Sequence, residues 1–215
     1  MELKVLTPPL GEPLGLTEVK LHLRVDDTAD DALITGLIMA AREWTENFLA
    51  GSLVEQTRTV SLSRWPRGAF RLPGGPVQSI TSVTYEDEDG DTQTVDSSIY
   101  YFTPGGEIAL DYCQRWPTAR TRGEDAITIT YKTGYPPVET VIPGEAIPET
   151  DPVEYEEDTT EIDYGGNIPQ AIKQAMLLLL GTWYQQREGA SDAKGFQTLP
   201  FGVKEILSPH REYPV

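Results

Sequence analysis

Two stretches near opposite ends of the chain carry apolar residues at helical spacing. Residues 27–50, DTADDALITGLIMAAREWTENFLA, place Ile34, Leu37, Ala41, Trp44 and Phe48 on one stripe in alternating steps of three and four. Residues 169–187, PQAIKQAMLLLLGTWYQQR, place Ile172, Ala175, Leu179 and Trp183 on a second. Short helices gain most of their stability by burying such stripes, so the two are expected to pack together. The leucines at 177–180 sweep most of a helix circumference, so at least one should face the 200–207 segment or another subunit.

Local signals set the expected helix ends. Thr17 can cap a short helix over 18–24. Thr28 with Asp31 approximates a capping box for the long helix, and Gly51 suits its C-cap. Pro169 opens the second long helix, with Asn167 or Ile168 at its N-cap. Residues 200–211 offer one or two further turns, and residues 1–15, rich in Pro and Gly, read as extended.

Between the helices the period changes to two. EQTRTVSLSRW and SITSVTYE alternate, EDEDGD reads as a hairpin turn around Asp89 and Gly90, and TQTV returns the strand. IYYFT and EIALDY flank a second turn at 104–106, and AITITYKTGY closes the series. Residues 54–135 thus predict six to seven short, mostly antiparallel strands. The implied fold is α+β, a small helical bundle formed by both chain ends with an inserted antiparallel β module. Residues 1–53 and 165–215 would form the helical body, 54–138 the β module and 139–164 an acidic linker.

Charge sharpens this division. The chain of 215 residues carries a net charge of −17, and residues 139–163 hold ten acids without one Lys or Arg. Residues 83–96 hold six more acids and again no base, so the remainder is nearly neutral. Such segments repel phosphate and argue against tight duplex binding by the whole protein. The single cysteine, Cys113, fits a reducing cytoplasm; residues 1–15 lack a signal-peptide pattern, and no apolar run approaches a membrane span.

The chemistry-bearing residues are sparse. His22 and His210 are the only histidines, and no nucleophile elbow or phosphate loop occurs, which leaves Cys113 with His210 as a weak dyad beside the plainer role of a small buried hydrophobe. No catalytic residue, cofactor site or transition-metal site is expected. Asp87, Asp89 and Asp91 around Gly90 resemble a hard-cation loop, but their spacing fits a solvated turn better. Arg58, Arg64, Arg67 and Arg71 interleave with Trp65 and Phe70, while Arg115, Arg120 and Arg122 flank Trp116. They admit three readings: a single-strand nucleic-acid surface, solvated strand ends, or a basic patch complementary to the acidic segment of a neighbouring copy.

At this point a family resemblance enters. LTEVKLHLRV at 16–25 followed by Asp30, Asp31, Ala32, Leu33 and Ile34, the AAREWTE segment at 40–46, IPQAIKQA at 168–175 through Trp183, Tyr184, Arg187 and Glu188, and LPFGVKEIL at 199–207 resemble the bacteriophage head–tail connector, or adaptor, proteins, which also occur in gene-transfer particles. The resemblance covers both ends of the chain and is weaker over the strands and the long acidic linker. It implies a virion structural protein at the head–tail junction or neck, assembled in the host cytoplasm. Such a protein is a homo-oligomer, a ring of roughly a dozen copies. The ring would join a portal protein to a stopper or tail-completion protein, and DNA would pass through it without sequence-specific binding. It also implies no enzymatic activity. Phe201, Val203, Ile206 and Leu207 become candidates for the portal contact. Leu178 and Leu180, with Arg64, Arg67, Arg71 and Arg115, become candidates for contacts between copies. The rival reading is a carbohydrate- or ligand-binding β module with helical flanks, using Trp65, Trp116, Tyr100 and Tyr101 as its platform.

Overall fold

In the computed structural model, residues 1–118, 126–142, 159–186 and 202–211 are described. The chain begins with strand β1 (Glu2–Thr7), then helices α1 (Leu16–Leu23) and α2 (Asp31–Leu49). Seven strands follow: β2 (Gln56–Leu62), β3 (Phe70–Arg71), β4 (Val77–Glu86), β5 (Thr92–Thr94), β6 (Tyr100–Phe102), β7 (Glu107–Leu110) and β8 (Ile127–Thr133). A hairpin of β9 (Val138–Ile142) and β10 (Thr159–Asp163) precedes α3 (Gln170–Gln185) and the short α4 (Val203–Leu207). The fold is α+β, as the two periodicities predict.

Apolar side chains gather in two clusters. The helical one joins Val19 of α1, Ile34, Ile38 and Ala41 of α2, Ile172, Ala175, Met176 and Leu179 of α3, and Val203 and Leu207 of α4. The two ends of the chain therefore share one interior. The second cluster lies among the strands, around Val60, Leu62, Val83, Ile108, Ile127, Ile129 and Tyr131. Its main sheet is antiparallel with strand order β1-β2-β8-β4-β5, and a smaller sheet runs β3-β7-β6.

Several expected details change. On α2 the buried line is Ile34, Ile38, Ala41, Thr45 and Leu49, so Leu37, Trp44 and Phe48 flank the core half-buried. The aromatic flank is closed by Trp44 stacking on Phe48, with Arg211 of the C-terminal segment over the Phe48 ring. Neither Thr17 nor Thr28 caps a helix: Gly15 and Asp30 occupy the N-cap positions without side-chain bonds. Pro169 itself holds the N-cap of α3, while Asn167 donates to the Pro136 carbonyl. Ala50, not Gly51, takes the left-handed C-cap of α2, with φ 56°. Gly51 serves close approach instead, since a Cβ there would lie 2.5 Å from the Gly75 carbonyl oxygen.

Two segments gain order that their composition hid. Residues 2–7 are not merely extended: they add an edge strand by pairing with β2. Part of the acidic linker forms the β9–β10 hairpin, while residues 143–158 lie outside the described ones. Cys113 is neither in a strand nor buried; β7 ends at Leu110, and Cys113 occupies an exposed turn with φ 61°.

Candidate assembly surfaces

A polar seam joins the two clusters where α2 runs into β2. Glu46, on the last turn but one of α2, accepts from the Leu53 backbone N–H at 2.8 Å with one oxygen. Its other oxygen accepts from Arg42 Nη1 at 3.3 Å, and Arg42 Nε donates to Glu12 at 2.8 Å. Burial raises the Glu46 carboxyl above its usual range, outweighing the Leu53 N–H and the Arg42 charge, which act the other way. Burial also pulls on Arg42, but Glu12 and Glu46 more than offset it, and its pKa rises. Both rise, which disfavours the charge of Glu46 and favours that of Arg42, because Arg42 has two carboxylates and Glu46 is the more deeply desolvated partner.

The seam continues through backbone. Ser52 N–H donates to the Gly75 carbonyl at 2.8 Å and its hydroxyl to the Gly74 carbonyl at 3.0 Å. The Thr133 hydroxyl also donates to the Gly74 carbonyl, and Tyr131 Oη donates to the Pro73 carbonyl at 2.7 Å. Directional bonds of this kind fix orientation in a way that apolar contact alone does not.

The aromatic and basic residues of the β module fall into two groups. Trp65 and Trp116 stack on each other at 4.6 Å and 2°, half-buried, with Tyr85 edge-on to Trp65 and Tyr100 stacked near Trp116. Their faces are occupied by mutual packing, which leaves little of the flat platform a sugar needs. Arg64, Arg67, Arg71 and Arg115 are exposed. Arg58 turns inward, with a buried Nε, and its guanidinium fills the space beside Gly74. Arg120 and Arg122 lie outside the described residues. Arg64 and Arg67, together with Met1, Leu62, Trp65, Pro66 and Phe70, line a groove of about 460 Å³.

The leucine run resolves cleanly. Leu179 and Leu180 are fully buried, Leu177 is nearly so, and Leu178 is 40% exposed. Leu180, expected at a contact between copies, is instead spent on the protomer's own core. Among the expected portal contacts, Val203 and Leu207 are likewise buried against the helical cluster, because α4 packs its apolar side onto α3. Ile206 remains half-buried, and Phe201 lies outside the described residues.

The acidic hairpin turn is self-satisfied. Asp87 Oδ1 accepts from the backbone N–H groups of Asp89, Gly90 and Asp91, and Oδ2 accepts from Gln93. The Gln93 amide and these N–H groups hold its carboxyl below the usual range. This is turn chemistry, and among the described residues no cluster of acids, His or Cys is placed to hold a metal ion. His22 and His210 lie on α1 and after α4, and Cys113 sits in its turn on the β module.

The protomer is a helical core tied through a polar seam to a β module, with a groove and partly exposed apolar residues outside. The sequence matches the family of phage gp6-like head–tail connector proteins over residues 14–100 and 147–211, and the chain belongs to that family. It is accordingly a structural adaptor of a phage-like particle. Three solved structures share its fold. A chain from the neck of an empty gene transfer agent (GTA) particle, computed with C6 symmetry, is 20% identical, with a TM-score of 0.72 over 100% of this chain and 97% of that one. A chain from the virion of a native GTA particle is 21% identical at 0.72, and one from the native neck, computed with C12 symmetry, is 21% identical at 0.70, with the same coverage. No curated protein matches the sequence.

Proposed function

We propose that this chain forms a twelve-subunit ring in the particle neck, matching the symmetry order used for the native GTA neck that shares its fold. The ring joins the portal above it to a stopper or tail-completion protein below, and DNA passes through its centre. The family match over both chain ends is the observation that carries this reading. In it the chain is structural and has no catalytic role, resides in the virion neck and is assembled in the host cytoplasm. The helical body, 1–53 with 165–215, builds the ring, and residues 54–138 form the inserted module.

Contacts between copies use the exposed Leu178 and the exposed arginines 64, 67, 71 and 115. Portal contact falls to Phe201 and the half-buried Ile206, while Val203 and Leu207 hold α4 on the helical cluster. The acidity of residues 139–163 disfavours adhesion to phosphate and lets DNA slide. Imaging the chain mixed with its portal tests the proposal: rings seated on the portal vertex are expected. A chain that stays monomeric and off the portal at every concentration refutes it.

A further inference from the structure

The β9–β10 hairpin stands apart from both clusters. Among the described residues it pairs with no third strand, and nearly all of its residues are exposed, including Val141 at 59% and Ile162 at 44%. An isolated two-stranded hairpin is marginal in water, so a face of this one calls for cover. Val141 pairs with Thr160 and Ile162 with Glu139, and strand alternation puts these four on one face. That face combines two branched apolar side chains with an acid.

A matching surface lies on β1, the free edge of the main sheet. Leu3 pairs with Val60 and Val5 with Arg58, so both point to the side on which Val60 is buried. Yet Leu3 is 40% and Val5 50% exposed, because the sheet overhangs its own core there. The overhang runs into the groove floored by Leu62, Trp65 and Phe70 and rimmed by the exposed Arg64 and Arg67. One surface is apolar with a basic rim, and the other is apolar within a segment that has acids and no base.

Both faces are left uncovered within the protomer. The hairpin is rooted at Tyr135, which packs on the helical cluster, and at Val138, which abuts Gly166 ahead of α3. The groove lies at the far end of β2, six residues beyond Gln56 at the seam, or about 20 Å away. We propose that the hairpin of one copy seats its Glu139, Val141 and Ile162 face on the β1 overhang and groove of the next copy, with Glu139 against Arg64 and Arg67. Two different surfaces of the same chain then form a heterologous contact, the kind that propagates around a ring. The proposal rests on the ring reading and names its interface.

Full-length copies lacking the native thiol (Cys113→Ser), one bearing Leu3→Cys and the other Val141→Cys with a different tag, are mixed at millimolar concentration, with and without portal, and oxidised. A disulfide between the two tags is expected, far exceeding that between Leu3→Cys and the exposed control Thr35→Cys. Arg64→Glu with Arg67→Glu on the first copy should cut the yield about tenfold, and Glu139→Arg on the second should restore it. Cross-linking no better than the control, or indifferent to these charges, overturns the proposal. Imaging the same mixtures separates the two levels. Rings without the selective disulfide remove this interface alone, whereas no rings and no disulfide remove the ring reading as well.

Discussion

Replacing Glu46 tests the seam most directly. Glu46→Ala removes the acceptor of the Leu53 N–H at 2.8 Å and one of the two carboxylates on Arg42. A buried N–H left without a partner costs about 1–3 kcal/mol. Arg42 keeps Glu12 at 2.8 Å, so its charge is not orphaned, and losing the longer Glu46 bond adds about 1 kcal/mol. The expected total is about 2–4 kcal/mol, a large share of a typical domain's stability. Glu46→Gln keeps an oxygen for Leu53 and gives up the acceptor of the longer Arg42 bond, so about 1 kcal/mol is expected. Urea unfolding of both variants, followed by far-ultraviolet circular dichroism and tryptophan fluorescence, supplies the comparison through midpoints at unchanged slope. The two probes matter because α2 and the β module should unfold together only while the seam holds. Equal losses for Ala and Gln, or a Gln variant worse than Ala, would refute the assignment of the Leu53 acceptor as the dominant contribution.

The same carboxyl sets a pH dependence. Its folded pKa lies above the reference 4.5, so the folded chain holds that proton more tightly, and the resulting stability is fully present below 4.5 and lost as pH rises through the folded value. The midpoint advantage of the parent over Glu46→Gln should therefore shrink as pH climbs through that window, and a constant difference would contradict it. Asp87 works in the other sense: its carboxyl is held below the reference 3.8, so its contribution is present above 3.8 and fades as pH falls through the folded value, an effect Asp87→Asn should abolish in acid unfolding curves. Gly36→Ala, with open space around an added Cβ on the exposed side of α2, should raise stability by about 0.5–1 kcal/mol, whereas Gly51→Ala should lower it by about 1–3 kcal/mol; thermal melts distinguish the signs. Leu179→Ala should cost about 2–5 kcal/mol in unfolding. Its neighbour variant Leu178→Ala should change unfolding little and instead reduce ring formation on the portal, read by negative-stain particle counts.

The large features were readable because they rest on periodicity. A spacing of three and four over residues 34–48 fixes an amphipathic helix, and alternation over 54–62 fixes a strand, whatever the partners turn out to be. The exact face was not readable. Arg42 and Thr45 lie on the buried side of α2, and no hydropathy pattern assigns an arginine inward; Glu12, thirty residues earlier, and Glu46 make that position tolerable. The leucine run had the same ambiguity, since Leu178 and Leu180 differ only in which side α3 turns to α2. The acidic hairpin escaped for another reason. Its strands mix polar and apolar residues on both faces, and their pairing is defined by partners seventeen or more residues apart that composition cannot relate. The aromatic platform was not readable because a pattern of residues does not show which rings stack on one another, and Trp65 and Trp116 bury each other's faces.

The seam also explains why two cores can act as one component. An interface made only of apolar side chains tolerates sliding, since its energy changes little with small shifts of register. Here the join is held by Glu46 on the Leu53 N–H and by Ser52 on the Gly74 and Gly75 carbonyls, with Thr133 and Tyr131 fixing the turn at 73–76 inside the β module. Each of these bonds weakens steeply with angle. A Cβ at Gly51 would collide with the Gly75 carbonyl, so the backbones meet too closely to rotate past one another. The β module is thus carried at a fixed angle to the helical bundle. A ring built from copies whose two surfaces keep a constant relative orientation closes at a definite number of subunits, whereas a loose hinge at residues 50–54 would spread that number. Variants that loosen the seam without unfolding either core, Ser52→Ala among them, should therefore broaden the distribution of ring sizes before they lower the unfolding midpoint appreciably.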